Sequence, residues 1–382
     1  MKRVGWILVT VCLLLWTLPL NGQAVELQTA GKSAVLMDVA TGTVLYEQNV
    51  HEPLAPASVT KVMTMLLIME AIDSGKIGWD DTVTASEAAA AKGGSQIYLK
   101  VGEQMSVTDM VKSIAVSSAN DCACAMAEHI AGSEPAFVEM MNQRASELGM
   151  NDTHFVNCTG LDDDDSAKEH RTSAYDIALM SRELLKNHPD IKKYTTIWMD
   201  TGRGGVFGLA NTNKMVRFYS GCTGLKTGFT SGAGYCLSAS AARDGMELIA
   251  VVMGAKTSQS RNAACKELLD YGFANFAVIS PELSEVPGIP VKLGKQETVS
   301  AALGEATGLL IDKAQKSAVT TEVTLEERVT APVTRGQQIG TLSIKSGEQT
   351  LRQIPLVAAE GVERLTTGDL FVRVLRKAAM AR

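Results

Sequence analysis

The sequence predicts an α+β fold: one antiparallel sheet covered by helices, with a helical insert between its strands, followed by a small all-β domain. Three observations lead there. β-Rich runs lie at both ends of a segment whose middle carries helical spacing of apolar residues, a proline-dense stretch follows it, and beyond that stretch the apolar spacing changes to period two.

In chain order, Met1-Lys2-Arg3 is basic, Val4 to Leu20 is mostly apolar, and Asn21-Gly22-Gln23-Ala24 ends on small residues. This order is that of a signal peptide over residues 1–24, and the apolar run is shorter than the ~20 residues a spanning helix needs. An exported, extracytoplasmic protein is therefore expected. Ala34 to Asp38 and Thr43 to Glu47 flank Ala40-Thr41-Gly42 and read as a hairpin. Val62 to Ile72, Val107 to Glu128, Ala136 to Leu148 and Ala174 to Leu185 read as helices. Gly221 to Lys226, Tyr235 to Ala241 and Glu247 to Met253 read as strands, and Lys266 to Phe276 as a further helix.

Ser280-Pro281 through Pro287-Gly288-Ile289-Pro290 has the proline density of a linker. Val319, Thr321, Val323 and Leu325 then alternate with polar residues, as do Leu342 and Ile344. The expected division is a signal peptide over 1–24, a catalytic domain over 25–279, a small β domain over 286–366, and a basic amphipathic segment over 368–382. In that last segment Leu370, Phe371, Val374, Leu375 and Ala378 share one helical face and Arg373, Arg376 and Lys377 another. Such a segment fits an anionic membrane surface, or equally a helix docked on its own domain.

A length of 382 residues favours two domains, and the formal net charge of −6 gives no reason to expect nucleic acid. Six of the seven cysteines lie beyond residue 24, without CxxC pairs or a histidine cluster, so small buried thiols are expected and no metal site. The run Asp162 to Asp165 lacks the alternating spacing of a calcium loop and reads as a solvated turn. His51, His129, His154, His170 and His188 read as surface or structural residues.

Chemistry concentrates in three short motifs. Ser58 and Lys61 stand three residues apart at the start of a helix, where the two side chains share a face and an amine can take the hydroxyl proton. Ser118-Ala119-Asn120 brings a hydroxyl and an amide together within the helical insert. Lys226-Thr227-Gly228 sits at the end of a predicted strand and offers a cation, a hydroxyl and close backbone approach to an extended peptide. Each alone is weak: Ser260-Arg261-Asn262 and Lys256-Thr257-Ser258 imitate the second and third. The set in the order SxxK, SxN, KTG is that of serine β-lactamases and penicillin-binding proteins.

The longer strings Ala55 to Thr64, Gly224 to Thr230 and Ala233-Gly234-Tyr235 resemble the low-molecular-mass penicillin-binding proteins, the serine-type D-alanyl-D-alanine carboxypeptidases. The resemblance runs from about residue 30 to the basic tail. It implies a β-lactamase/D,D-peptidase-like fold and removal of the terminal D-alanine from peptidoglycan stem peptides, with β-lactams as inhibitors. No metal or nucleotide cofactor is implied. It also implies that Ser58 is the nucleophile, Lys61 its base, Ser118 and Asn120 the second element, and Lys226, Thr227 and Gly228 the third. Backbone N–H groups of Ser58 and Phe229 would form the oxyanion hole, and Arg261 would help hold the terminal carboxylate.

Two departures stand out. Ala119 replaces a common glycine, which keeps the turn if its φ is negative, and Phe229 replaces a common histidine whose contribution is backbone. A β-lactamase shares the three motifs and differs in deacylating fast. A non-catalytic wall-binding protein with the same fold, and an endopeptidase on cross-links, are the other readings.

Overall fold

The computed structural model describes residues 27–163, 165–280, 282–283, 286–304 and 308–380, without the side chains of 376–380. The signal-peptide expectation for 1–24, Asp164, and the side chains of Arg376, Lys377 and Ala378 fall outside these residues.

Strands β1 (Ser33–Asp38), β2 (Val44–Gln48), β3 (Cys222–Thr230), β4 (Gly234–Arg243) and β5 (Met246–Ala255) form one antiparallel sheet in the order β2-β1-β5-β4-β3. The predicted hairpin is β1–β2. Period-two alternation divides the inner strands between two cores. Val35, Met37, Ile249, Val251 and Met253 face the helical insert, whereas Ala34, Leu36, Leu248, Ala250 and Val252 face the opposite layer. Both faces being covered, every residue of β1 is buried.

The insert contains α1 (Lys61–Asp73), α2 (Val107–Ser117), α3 (Asn120–Ala131), α4 (Glu134–Glu147) and α5 (Ala174–Asn187). Helix α6 (Ser258–Asn275) covers the other face with Ala264, Cys265, Leu268, Leu269 and Phe273. Helix α1 is apolar on all sides, and ten of its thirteen residues are buried, so it runs through the middle of the lobe rather than along its surface.

Three expectations need correction. The single helix predicted over Val107 to Glu128 is two helices, broken where Ser118 adopts a left-handed conformation (φ +63°, ψ 29°). Apolar spacing passes straight through the break, since Val116, Ala119, Cys122 and Ala123 are all buried. The strand carrying Lys226-Thr227-Gly228 does not end there but continues to Thr230, paired to Gly234, so the motif lies within β3. Helix α6 begins eight residues before Lys266. Its first turn is polar, and Thr257 caps it through a reciprocal box with Ser260. Two short hairpins went unpredicted: Thr82–Thr84 with Gln104–Ser106, and Met199–Gly202 with Phe207–Ala210.

Strands β6 (Ala301–Leu303), β7 (Val319–Leu325), β8 (Gln338–Ser346) and β9 (Gln349–Ala358) form a second antiparallel sheet in the order β6-β9-β8-β7 over Leu342, Ile344, Ile354 and Leu356. A smaller sheet joins Ile289–Lys292, Thr298–Val299 and Val329–Thr330. Helix α7 (Thr367–Met380) closes the described chain, and no helix among the described residues is long and apolar enough to cross a membrane.

Candidate active site

The chain enters α1 through a 3-10 turn, Ala57–Thr60, after Pro56. Ala57 holds φ +49°, a region an L-residue enters only when its surroundings hold it there. Ser58 is half-buried between the buried Ala57 and Val59. Lys61 is fully buried, with Nζ 2.9 Å from Ser58 Oγ and 2.7 Å from the carbonyl oxygen of Thr159. Burial lowers its pKa from 10.5 to about 7, against the weaker opposing pull of Cys158 and Asp121. A substantial fraction of the amine is therefore neutral near pH 7 and able to take a proton from the serine hydroxyl.

The break between α2 and α3 forms the second wall. Ala119 has φ −58°, so the alanine in place of glycine is accommodated without strain. Ser118 and Asn120 are both buried at the break. Asn120 donates from Nδ2 to the Gly93 carbonyl (2.7 Å) and from its backbone to Ser95 (2.7 Å), while its Oδ1 is buried with no partner among the described residues. A buried amide oxygen without a donor has hydrogen-bonding capacity left to offer.

Strand β3 is the edge of the sheet and forms the third wall. Gly228 passes directly against the serine turn: a Cβ there would stand 2.6 Å from the Pro56 carbonyl oxygen and 3.1 Å from the Ser58 nitrogen. Thr227 donates to Thr212 Oγ1 at 2.7 Å. Lys226 is fully buried, and its pKa is driven well down by burial first and then by the charges of Lys61 and Arg261. Phe229, half-exposed, stacks on Tyr235 with ring centroids 4.3 Å apart, and the Arg261 guanidinium lies 5.8 Å from that tyrosine ring. Arg261, on the first turn of α6, is buried and bonded to Asn262 Oδ1. An open cleft of about 720 Å³, lined by Ala55, Asp162, Asp163, His170 and Gly232 among others, adjoins this region.

Thus three basic side chains, Lys61, Lys226 and Arg261, are buried together, and among the described residues none has a carboxylate within ion-pair distance. Burying charge without a counter-ion is costly.

Residues 21–257 match the D-alanyl-D-alanine carboxypeptidase family of S11 peptidases, and residues 284–364 match the C-terminal domain of penicillin-binding protein 5. The chain belongs to the D-alanyl-D-alanine carboxypeptidase family. It is 44% identical to the D-alanyl-D-alanine carboxypeptidase DacF of Bacillus subtilis over 345 residues, 89% of this chain and 87% of that protein. With DacC of Escherichia coli it shares 35% identity over 366 residues, 92% and 88% of the two chains. Among solved structures, penicillin-binding protein 5 of Haemophilus influenzae superposes with a TM-score of 0.73 at 32% identity, covering 88% of this chain and 98% of that one. Penicillin-binding protein D2 of Listeria monocytogenes, solved in an ampicillin-bound form, gives 0.59 at 32% identity over 65% of this chain and 99% of its own.

Within this carboxypeptidase fold all nine residues singled out from the sequence fall on the serine turn, the α2–α3 break, β3 and the first turn of α6. Sequence reasoning missed the supports beneath them. Thr159, whose carbonyl accepts from Lys61, carries no motif, and Gly160 packs so tightly that a Cβ on it would meet the Ala57 oxygen at 1.8 Å. Of the six described cysteines all are free, five are buried, and Cys222 is half-buried. Cys124 and Cys158 lie against the Glu134 carboxylate, and Cys158 is pushed well above the usual thiol range by the Cys124 thiol and by burial. Asp162, Asp163 and Asp165 are exposed.

Proposed function

We propose that this chain removes the terminal D-alanine from peptidoglycan stem peptides through an acyl-enzyme on Ser58. The Ser58–Lys61 contact of 2.9 Å, facing an edge strand beside the buried Lys226 and Arg261, which have no carboxylate partner among the described residues, is the observation that carries this reading. Neutral Lys61 takes the hydroxyl proton as Ser58 Oγ attacks the penultimate D-alanine carbonyl. The oxyanion accepts hydrogen bonds from the backbone N–H groups of Ser58 and Phe229. The C–N bond then breaks, the leaving amine takes a proton delivered from Lys61 by way of Ser118 at the α2–α3 break, and water hydrolyses the ester. Asn120 and the edge of β3 hold the peptide, while Lys226, Thr227 and Arg261 receive its terminal carboxylate. Intact mass after incubation with benzylpenicillin tests it. A stable adduct lost in Ser58→Ala supports the acyl-enzyme; rapid turnover of the antibiotic without D-alanine release would instead identify a β-lactamase.

The same reading places the protein outside the cytoplasmic membrane, exported by residues 1–24 and held at the membrane surface by α7. Leu370, Phe371, Val372, Val374 and Leu375 are all exposed on that helix, 37% to 66%, so these five side chains are not buried against the β domain. Arg373 bonds back to Gly294 and Glu297. Exposed apolar residues on a helix with cationic neighbours suit an anionic lipid surface. Sedimentation with anionic vesicles, lost on deletion of 368–382, is the expected result; equal sedimentation of the truncated chain would contradict it.

A further inference from the structure

Ala57, immediately before Ser58, is with Ser118 one of two left-handed non-glycine residues at the site, and its carbonyl is held by a buried chain of hydrogen bonds that the three motifs do not include. Thr60 Oγ1 lies 2.8 Å from the Ala57 oxygen and 2.7 Å from His170 Nε2, and the Val156 N–H donates to His170 Nδ1 at 3.1 Å. These contacts fix every proton. Because Nδ1 accepts from Val156, Nε2 carries the hydrogen of the neutral ring and donates it to Thr60 Oγ1. The threonine hydroxyl hydrogen is then left for the Ala57 carbonyl. Thr60 is fully buried and His170 nearly so, so water does not compete for any of these groups. Gly160, with φ +78°, closes the chain from below against the same carbonyl.

We infer that Thr60 and His170 are positioning residues for acylation, clamping the Ala57 carbonyl so that the left-handed turn presents Ser58 Oγ to Lys61. The inference rests on Ser58 being the acylated residue. Neither side chain touches the reacting atoms; each acts through the backbone of the turn. Hydrogen bonding to the Ala57 carbonyl offsets the cost of its left-handed φ. Burial also lowers the His170 pKa to about 4, which keeps the ring neutral in the working range and the donor pattern unchanged.

The test is pre-steady-state acylation by a chromogenic β-lactam, which separates the dissociation constant of the encounter complex from the acylation rate. Thr60→Val keeps the volume and removes both hydrogen bonds. Its acylation rate should fall about tenfold to a hundredfold, the range a misplaced reacting group produces, with the encounter constant unchanged. Thr60→Ser restores the hydroxyl and should restore the rate to within about threefold. His170→Leu should fall in the same direction, and His170→Gln, which has both a donor and an acceptor, should recover most of the loss. Should Thr60→Val not fold, the His170 pair carries the same comparison. Acylation by Thr60→Val at the wild-type rate, or no recovery in either conservative variant, would overturn the inference. A wild-type chain that never acylates would overturn the Ser58 reading itself, and with it this one.

Discussion

Gly228 and Pro56 lie so close that a single methyl group on the glycine would sit 2.6 Å from the proline carbonyl oxygen. The obstacle is backbone on both sides, so neither partner moves without moving the serine turn or the edge strand. Gly228→Ala should therefore lower acylation by about a hundredfold, because displacing a nucleophile by a fraction of an ångström to an ångström has that effect. The check is the acylation rate beside a far-ultraviolet spectrum; a folded variant acylating at the wild-type rate would contradict the packing argument.

Lys61 sets the pH profile. With its pKa brought down to about 7 by burial, the neutral amine becomes the minor form below that pH. The acylation rate should rise about tenfold per unit at lower pH and level off above about 7. Lys61→Arg, which stays charged throughout, should remove the activity rather than shift the profile. Rapid-mixing measurements from pH 5 to 9 decide the matter.

The unpaired cationic side chains Lys226 and Arg261 predict discrimination at the substrate terminus. A peptide ending in D-Ala-D-Ala should exceed its C-terminal carboxamide in kcat/KM by roughly 30-fold or more, since removing one partner of a buried charge pair costs about 2 kcal/mol or more. Steady-state comparison of the two peptides is the measurement. Equal rates would mean that the buried cations serve something other than the carboxylate.

His170 also marks stability. Its folded pKa of about 4 lies below the ordinary 6.5, so between those values the unfolded chain binds a proton that the folded chain does not. The contribution is intact above pH 6.5 and is lost as the pH falls toward 4, to a total of about 3 kcal/mol. Denaturant midpoints for wild type and His170→Gln should therefore diverge in that window, with the wild type losing stability more steeply as the pH falls.

The nine candidate residues were legible in the sequence because the chemistry proposed for them depends on residue type and short spacing. Ser58 and Lys61 are one helical turn apart, and Lys226 to Phe229 are consecutive on a strand. The sequence also showed the sheet-and-insert arrangement, since β-rich runs lie at both ends of a segment whose middle carries helical spacing of apolar residues. Hidden were the features that depend on backbone conformation and long-range contact. The break at Ser118 leaves apolar spacing undisturbed. The first turn of α6 has no apolar face to detect. Thr60 and His170, 110 residues apart in the chain, reveal their partnership only once folded. His170 read as a structural histidine, and its buried bond to Thr60 ties it to the Ala57 carbonyl of the turn that carries Ser58.

The most direct test of the account is release of free D-alanine from a peptide ending in L-Lys-D-Ala-D-Ala by the wild-type chain and by Ser58→Ala. The account predicts one D-alanine per peptide from the wild type, none above background from the variant, and benzylpenicillin abolishing release in step with formation of the Ser58 adduct. D-Alanine release by Ser58→Ala at a rate near that of the wild type would contradict it.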